Sequence, residues 1–210
     1  MCASYGLDPR FDGSDFIDTA DEELLAGLRD WAEQNANETL RPTGKNLRNL
    51  NPIVTAVDDS LSLGLGWWGY LVDGEPAKFP SINTRSEHLQ QRPASMPTRA
   101  IVPATNWFEM RKPERKWYSF DTGGLDLFGM AAVTQRGRAT DGRLFTCYSI
   151  VMQPAVDHLF EIHDRMPLLI PSRFAREWLT STDPAPILMQ AALQAARPLA
   201  ADINAHPAAR

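Results

Sequence analysis

The chain has 210 residues, 43% of them hydrophobic, which is enough apolar material for one sizeable core. Its 21 Lys and Arg residues against 26 Asp and Glu residues give a formal net charge of -5, which argues against broad electrostatic capture of nucleic acid. It has no run of eighteen apolar residues and no basic, apolar leader, so we expect a cytoplasmic protein without a membrane partner. Its two cysteines, Cys2 and Cys147, predict reduced thiols in place of a disulfide framework.

The first predicted elements are a helix and two strands. Thr19 and Glu22 have the spacing of a capping box, and apolar residues follow at helical intervals over residues 24–32. Residues 51–57 and 61–72 are rich in β-branched and aromatic side chains and are separated by a short polar turn. This pattern predicts two sheet strands.

The middle of the chain is predominantly β. Residues 73–97 are polar and interrupted by proline, and they predict a surface loop with at most a short helix around residues 86–91. Beyond this loop, turns that contain proline or glycine separate several β-like runs. These runs are residues 99–110, 116–120, 127–135 and 143–152.

After Pro154 the pattern changes to that of helices. Helical spacing covers residues 156–163, 172–179 and 186–203, a strand is predicted at 166–171, and residues 206–210 are expected to be disordered. The whole order predicts an α+β fold, in which a mixed sheet forms a barrel-like core with peripheral helices. We expect one domain at residues 1–183 and an Ala-rich helical tail, partly disordered, at residues 184–210.

Cys2 has a chemistry that depends on its position. Initiator Met is commonly removed before a small residue, and its removal would leave an amine and a thiol on one carbon of Cys2. The ordinary pKa values of these groups are about 7.7–8.0 and about 8.5, so neutral amine and thiolate coexist near neutral pH. A 1,2-aminothiol attacks aldehydes, because the amine forms an imine and the thiol closes on it as a thiazolidine. The alternative is that Cys2 belongs to a frayed terminus without function.

Glu109 and His163 are two further candidates for chemistry. Glu109 lies in an apolar run, where an inward-facing carboxyl would have a raised pKa; strand alternation equally allows it to face solvent between core residues Phe108 and Met110. His163 fits either a helix-end histidine or a catalytic one. The histidines lack the spacing of zinc ligands, so we expect no metal site and no cofactor.

Several residues suit contacts with a nucleic acid, and each also has a structural interpretation. Trp67 and Trp68 could stack on bases or belong to the core. Residues 82–87 pack an amide, a guanidinium and a carboxylate into a loop, which suits phosphate or sugar contacts but equally loop capping. The basic segment 111–116 is either a solvated hairpin tip or a binding patch. Cys147 alternates within an apolar strand and is predicted to be a buried, inert thiol.

A series of short motifs then connects these candidates. In chain order the motifs are Met1-Cys2, Trp68–Tyr70, Ile82–Glu87, Arg99–Ile101, Trp107–Glu109, Met130–Ala132, Ile162–Pro167 and Trp178-Leu179. With this series, over residues 2–179, the chain resembles the SOS-response-associated peptidase family, also called SRAP or abasic-site processing proteins.

The resemblance implies a mixed α/β fold around a β-barrel-like core, and covalent attachment of Cys2 to the ring-opened aldehyde of an abasic site in single-stranded DNA. It implies that Cys2 is the nucleophile and that Asn83 positions the terminal amine or the opened sugar. Glu109 would be the general acid/base, and His163 would assist sugar opening. The residues expected to contact DNA are Arg85, Trp67, Trp68 and Arg165.

The expected activity is that of a cross-linking enzyme that acts once or reverses slowly, after removal of Met1. Its expected partner is single-stranded DNA with abasic sites, which would bring the protein to the nucleoid, and we expect a monomer. Family members usually continue with Gly-Arg-Phe where this chain has Ala3-Ser4-Tyr5, so a basic residue beside Cys2 is missing. Two alternatives stay open: a thiol peptidase that cleaves its own leader, and a non-catalytic single-strand DNA-binding module.

Overall fold

A computed structural model describes residues 2, 4–17, 21–35, 50–58, 60–72, 74–76, 81–92 and 96–208. The strands are β1 (Tyr5–Gly6), β2 (Leu50–Val57), β3 (Ser60–Trp68), β4 (Leu71–Val72), β5 (Glu75–Pro76), β6 (Asn83–Arg85), β7 (Arg99–Ala104), β8 (Asn106–Arg111), β9 (Lys116–Asp121), β10 (Phe128–Arg138), β11 (Leu144–Pro154), β12 (Arg165–Pro167), β13 (Leu169–Ile170) and β14 (Asn204–Pro207). The helices are α1 (Glu22–Gln34), α2 (Ser86–Gln90), α3 (Asp157–Phe160), α4 (Ser172–Thr180) and α5 (Ala185–Ala201).

The strands β2, β3, β7, β10 and β11 close into a mixed barrel. Antiparallel pairings join β3 to β2, β2 to β7, β7 to β10 and β10 to β11, and β11 returns to β3 in a parallel pairing. Two glycines allow side chains to approach the backbone inside this barrel: a Cβ at Gly66 would lie 2.8 Å from Tyr148, and a Cβ at Gly129 would lie 2.5 Å from Ile101. The predicted fold class, a mixed sheet with a barrel-like core and peripheral helices, is confirmed.

A second sheet lies beside the barrel and carries the start of the chain. Its strands follow the order β1, β8, β9, β14, and all its pairings are antiparallel. Trp107 on β8 anchors this sheet, because its indole is 1% exposed and stacks on Phe120 with ring centroids 5.0 Å apart. The sheet therefore holds the first residues of the chain against β8.

The C-terminal segment corrects the predicted tail at residues 184–210. Leu188, Met189 and Ala192 of α5 are fully buried, and this helix packs on α2 and β13, because its alanines allow close approach. β14 then completes the second sheet by pairing with β9 from Asn204 to Pro207. The segment therefore belongs to the same packed body as residues before 184, and the predicted disorder is wrong as far as Ala208.

Other differences from the predicted elements are local. The run 61–72 divides at Gly69, whose φ of +96° interrupts the strand, and the run 99–110 divides at Thr105, where the chain passes from one sheet to the other. Asn83–Arg85, predicted as loop, is a strand that pairs in parallel with β11. The capping residue predicted for α1, Thr19, lies outside the described residues. Among the described helices, none combines the length and apolar character needed to cross a membrane.

Arg99 joins the barrel to the end of α4. Its guanidinium donates hydrogen bonds to the carbonyls of Trp178, Leu179 at 3.3 Å and Ser181 at 2.6 Å. Carbonyls at a helix C-terminus lack partners within the helix, and a cation there also interacts favourably with the helix dipole. Arg99 therefore fixes α4 against β7.

We expect Arg99→Ala to lower the free energy of unfolding by about 3 kcal/mol, because several charge-assisted hydrogen bonds are lost and the helix carbonyls are left without donors. Urea unfolding followed by circular dichroism measures the change. Arg138→Ala, an exposed arginine at the end of β10, is the control and is expected to change the value by less than about 0.5 kcal/mol. Equal effects of the two substitutions would contradict the assigned role of Arg99.

Candidate active site

Backbone contacts hold Cys2 at the edge of the second sheet. The Phe108 amide donates a hydrogen bond of 3.0 Å to the Ser4 carbonyl, which continues the pairing of β1 with β8. The side-chain amide of Asn83 donates a hydrogen bond of 2.8 Å to the Cys2 carbonyl. The Cys2 side chain is buried, and its Sγ lies 3.7 Å from the Ser4 carbonyl oxygen. Cys2 is thus fixed between β8 and β6 and is not a frayed terminal residue.

Asn83 reaches this position because β6 pairs with the middle of β11. Asn83 lies opposite Ile150, and the Ile150 amide donates a hydrogen bond of 3.0 Å to the Ile82 carbonyl. The Nδ2 of Asn83 is used by Cys2, whereas its buried Oδ1 has no hydrogen-bond partner among the described residues. Buried polar atoms are normally hydrogen-bonded, so this oxygen is an acceptor that faces the site without a protein donor.

Glu109 lies on β8 with its side chain buried. The residue is 4% exposed, while Phe108 and Met110 are half-buried, so the strand alternates with the carboxyl inward. Burial raises the pKa of Glu109 to about 7; the positive charge of the amino terminus opposes this rise and the charge of Asp164 adds to it. Both protonation states of Glu109 are therefore populated near neutral pH, which suits a general acid/base.

His163 follows α3 and faces Glu109. Its Nε2 lies 3.8 Å from Oε2 of Glu109, and its Nδ1 accepts a hydrogen bond of 3.0 Å from the Arg165 amide. Nδ1 also lies 3.2 Å from the Arg165 carbonyl oxygen and 3.2 Å from the Asp164 carboxylate, so these contacts allow the proton of the neutral ring on either nitrogen. Nε2 is the nitrogen that lies toward Glu109. Burial lowers the pKa of His163, and the amino terminus lowers it further, so the ring is neutral at pH 7.

A buried network of hydroxyl groups closes the site on the barrel side. The hydroxyls of Tyr5 and Tyr148 are 2.9 Å apart, and Asn51 donates a hydrogen bond of 2.9 Å to the Tyr148 hydroxyl. The Trp68 indole stacks on the Tyr148 ring with centroids 6.2 Å apart. Cys2 is close enough that its charge adds to burial in raising the pKa of both phenols. Sequence patterns gave no signal for this network, because its members lie far apart along the chain.

The residues predicted to contact DNA occupy different surroundings. Arg85 is exposed, two residues after Asn83, and forms no ion pair within the part of the chain that the structure describes. Arg165 donates hydrogen bonds of 2.7 and 2.8 Å to both carboxylate oxygens of Glu87, and so connects β12 to α2. Arg85 is the more available of the two for a phosphate.

Trp67 and Trp68 require a correction. They are 6% and 1% exposed, and the Trp68 indole N–H donates a hydrogen bond of 2.9 Å to the Ile82 carbonyl. A base needs an open ring face for stacking, and neither indole offers one. Both tryptophans are buried, and their rings are not accessible to a nucleobase.

Two other predictions concern groups outside the site. Cys147 is fully buried, as predicted, within β11. No group of three or more His, Cys, Asp or Glu side chains suited to a metal ion occurs within the described ranges.

The buried carboxyl of Glu109 has a measurable effect on stability. Its pKa is about 7 in the folded protein against 4.5 as the ordinary value, so between these pH values the folded state holds a proton that the unfolded state has released. Stability due to this group is therefore greatest below pH 4.5 and falls as the pH rises toward 7. We expect Glu109→Gln to raise the free energy of unfolding at pH 8 by up to about 3 kcal/mol and to have little effect at pH 4.5.

Denaturant unfolding of both proteins at a series of pH values checks this expectation. Glu114→Gln, at the exposed hairpin tip, is the matched control and should show no such dependence on pH. A constant difference between wild type and Glu109→Gln across this pH range would show that the Glu109 pKa is not raised.

Fold and site together define a class: a mixed β-barrel protein in which a cysteine next to the chain start is held beside a buried carboxyl and a neutral histidine. The family model described as SOS response associated peptidase (SRAP) matches residues 16–209, and the chain belongs to this family. The predicted family is therefore confirmed, and the match continues past residue 183 through α5 and β14.

Curated relatives and solved structures agree with this membership. The chain is 32% identical over 174 residues to the abasic site processing protein YedK of Escherichia coli, covering 75% of this chain and 74% of that protein. It is 26% identical over 189 residues to the abasic site processing protein YoqW of Bacillus subtilis, with coverage of 81% and 84%. A phage-related protein of Bordetella bronchiseptica has the same fold, with a TM-score of 0.61, 19% identity and coverage of 100% and 94%. A Bacteroides thetaiotaomicron protein has a TM-score of 0.55 at 21% identity, with coverage of 76% and 73%.

Proposed function

We propose that this protein processes abasic sites in DNA, and that after loss of Met1 it captures them in single-stranded DNA as a thiazolidine on Cys2. The relatives named as abasic site processing proteins support the first part of this proposal, the processing of abasic sites. The observation that supports capture by Cys2 is the position of this residue, whose backbone is held by Asn83 beside the pair formed by Glu109 and His163. Such a protein would act inside the cell, where its DNA substrate is.

The first step is the opening of the sugar. An abasic sugar is mostly a closed hemiacetal, and an amine can attack only its open aldehyde, so a proton must leave the C1′ hydroxyl and another must reach the ring oxygen. Glu109 has a pKa of about 7 and can do both in sequence. The Nε2 of His163, 3.8 Å from Glu109, is placed to form a hydrogen bond with a sugar hydroxyl between them.

The second step is capture of the aldehyde. The neutral α-amine of Cys2 adds to C1′, the hydroxyl of the resulting carbinolamine leaves as water with a proton from Glu109, and an imine forms. The Cys2 sulfur then adds to the imine carbon, and the thiol proton passes to the nitrogen, so one water is released per cross-link. The unpartnered Oδ1 of Asn83 can accept a hydrogen bond from the α-amine and direct its lone pair toward C1′.

We expect the Met-processed wild-type protein to form a heat-stable adduct with single-stranded DNA that contains an abasic site. Cys2→Ala keeps the α-amine but lacks the thiol, so it should form at most an imine that survives heating only after borohydride reduction. Denaturing gel electrophoresis, with and without borohydride, distinguishes the two products. The control is Cys147→Ala, which removes the other thiol and should cross-link like the wild type.

Equal heat-stable adducts from the wild type and Cys2→Ala would refute the thiazolidine. Mass spectrometry of the mature N-terminus tests the peptidase alternative in the same samples, because autoproteolysis would remove more than Met1. A protein that binds intact and abasic strands equally, without any covalent product, would be a binding module and not an enzyme.

We expect Glu109→Gln to slow cross-linking by about 10²–10⁴-fold, because the amide cannot exchange protons with the sugar. Single-turnover gel assays with excess protein measure the rate from pH 5 to pH 9. The wild-type profile should contain a titration near pH 7 that the Gln variant lacks. Non-covalent affinity for intact single strands should not fall in this variant, and a parallel loss of binding would mean that the substitution disturbs the site as a whole.

A further inference from the structure

One hairpin of this acidic protein carries a local excess of positive charge. The tip between β8 and β9, residues 111–116, carries four cationic side chains and one carboxylate, although the whole chain has a net charge of -5. Lys112, Arg115 and Lys116 are exposed. Glu114 pairs with Arg111 at 3.7 Å, whereas Lys112 and Arg115 form no ion pair within the described ranges. Lys112 and Arg115 are therefore cations that no carboxylate of the described residues neutralises.

This hairpin faces the turn between α3 and β12 across the site. Arg111 lies two residues after Glu109 on β8, and His163 in the turn lies 3.8 Å from Glu109. Burial lowers the pKa of His163, and the charge of Lys112 contributes in the same direction. A hydrogen bond that Arg111 donates to Tyr118 and the charge of Glu114 raise the pKa of Arg111, and the charge of Glu161 in the turn adds a smaller effect. Hairpin and turn thus both lie next to the pair formed by Glu109 and His163.

The turn carries an exposed aromatic ring. Phe160, the last residue of α3, is 59% exposed, more than any other large apolar side chain in the described part of the protein. Its backbone is held in place, since the Phe160 amide donates a hydrogen bond of 3.1 Å to Val156 and the His163 amide donates one of 3.2 Å to Leu159. An exposed aromatic ring contributes little to the stability of the fold, because little of its apolar surface is buried. A nucleobase can stack on such a ring, and this one lies three residues from His163.

We propose that the hairpin 111–116 and Phe160 form the two sides of the path of single-stranded DNA, with Lys112 and Arg115 contacting phosphates and Phe160 stacking on a base next to the abasic site. The identity of the ligand rests on the function proposed above. The charges complement a phosphate backbone, and the ring complements the flat bases that an unpaired strand exposes. Base stacking, which the sequence led us to expect of Trp67 and Trp68, is thereby assigned to Phe160, whose ring is exposed.

The hairpin is tested by non-covalent binding of a fluorescein-labelled, undamaged single-stranded oligonucleotide to the full chain carrying Cys2→Ala. Fluorescence anisotropy is measured over a series of salt concentrations. In the double variant Lys112→Ala/Arg115→Ala the affinity should fall, and the slope of log affinity against log salt should be smaller by about 1.4, because each lost phosphate contact removes about 0.7 for a single strand. Arg136→Ala/Arg138→Ala removes the same charge from exposed positions of β10 and should leave the slope unchanged.

The aromatic side is tested in the same assay. Phe160→Ala should lower the affinity about 5- to 100-fold without changing the salt slope, since stacking releases no counterions. Ile187→Ala on α5 is the matched control, because Ile187 is 57% exposed and lies on another element. Thermal melting of each variant shows that it is folded before its affinity is compared.

The proposal is overturned if the hairpin variant behaves like the β10 variant, if Phe160→Ala behaves like Ile187→Ala, or if the full chain does not bind the oligonucleotide at low salt. Because this assay uses undamaged DNA and a chain without Cys2, it is independent of covalent capture. If the protein forms no cross-link but the hairpin variant still shows the expected loss of affinity and smaller salt slope, only the thiazolidine is refuted. If the protein cross-links but the hairpin and Phe160 variants bind like their controls, only the DNA path is refuted.

Discussion

The pairing of β1 with β8 is the constraint on which the rest of the site depends. It places the residues after Cys2 directly against the strand that carries Glu109, and it does so through backbone hydrogen bonds that most side chains would permit. Asn83 adds a side-chain hydrogen bond to the Cys2 backbone. If β1 left β8, the cysteine would have no defined distance to the carboxyl, and its chemistry would be that of any free aminothiol.

Burial of the Glu109 carboxyl in this site has a free-energy cost that the packing of the barrel must offset. Glu109 is buried beside a histidine whose ring is neutral, so the carboxylate gains no full ion pair from it at pH 7. Packing behind the site offsets this cost: the hydroxyls of Tyr5 and Tyr148 are hydrogen-bonded to each other, and the Trp68 indole stacks on the Tyr148 ring. This packing thus allows Glu109 to keep a pKa of about 7, in the pH range where proton transfer to the sugar needs it.

Much of the fold was predictable from local patterns, whereas the site was only partly so. Alternating β-branched runs and turn residues locate the barrel strands, because these signals are local along the chain. β6 and β14 were not predicted, since strands this short are defined by their partners β11 and β9 and not by their own residues. Alternation alone could not decide that Glu109 faces inward, and burial of Trp67 and Trp68 depends on contacts with distant residues such as Phe145 and Tyr148. The ordered motifs supplied what periodicity could not: which distant residues would meet.

The net negative charge of the chain is compatible with binding of nucleic acid, because salt screens charges over short distances. At physiological ionic strength the Debye length is about 8 Å, so carboxylates elsewhere on the surface have little influence on a phosphate that contacts the hairpin. What matters is the local balance: residues 111–116 hold four cations against a single glutamate, and the nearby carboxylates of Glu161 and Asp164 in the turn oppose them in part. A net negative charge then has a separate effect: it weakens non-specific attraction to double-stranded DNA, whose charge density is higher than that of a single strand. A local basic hairpin on an acidic body therefore favours short, specific contact with an unpaired strand over general adhesion to duplex.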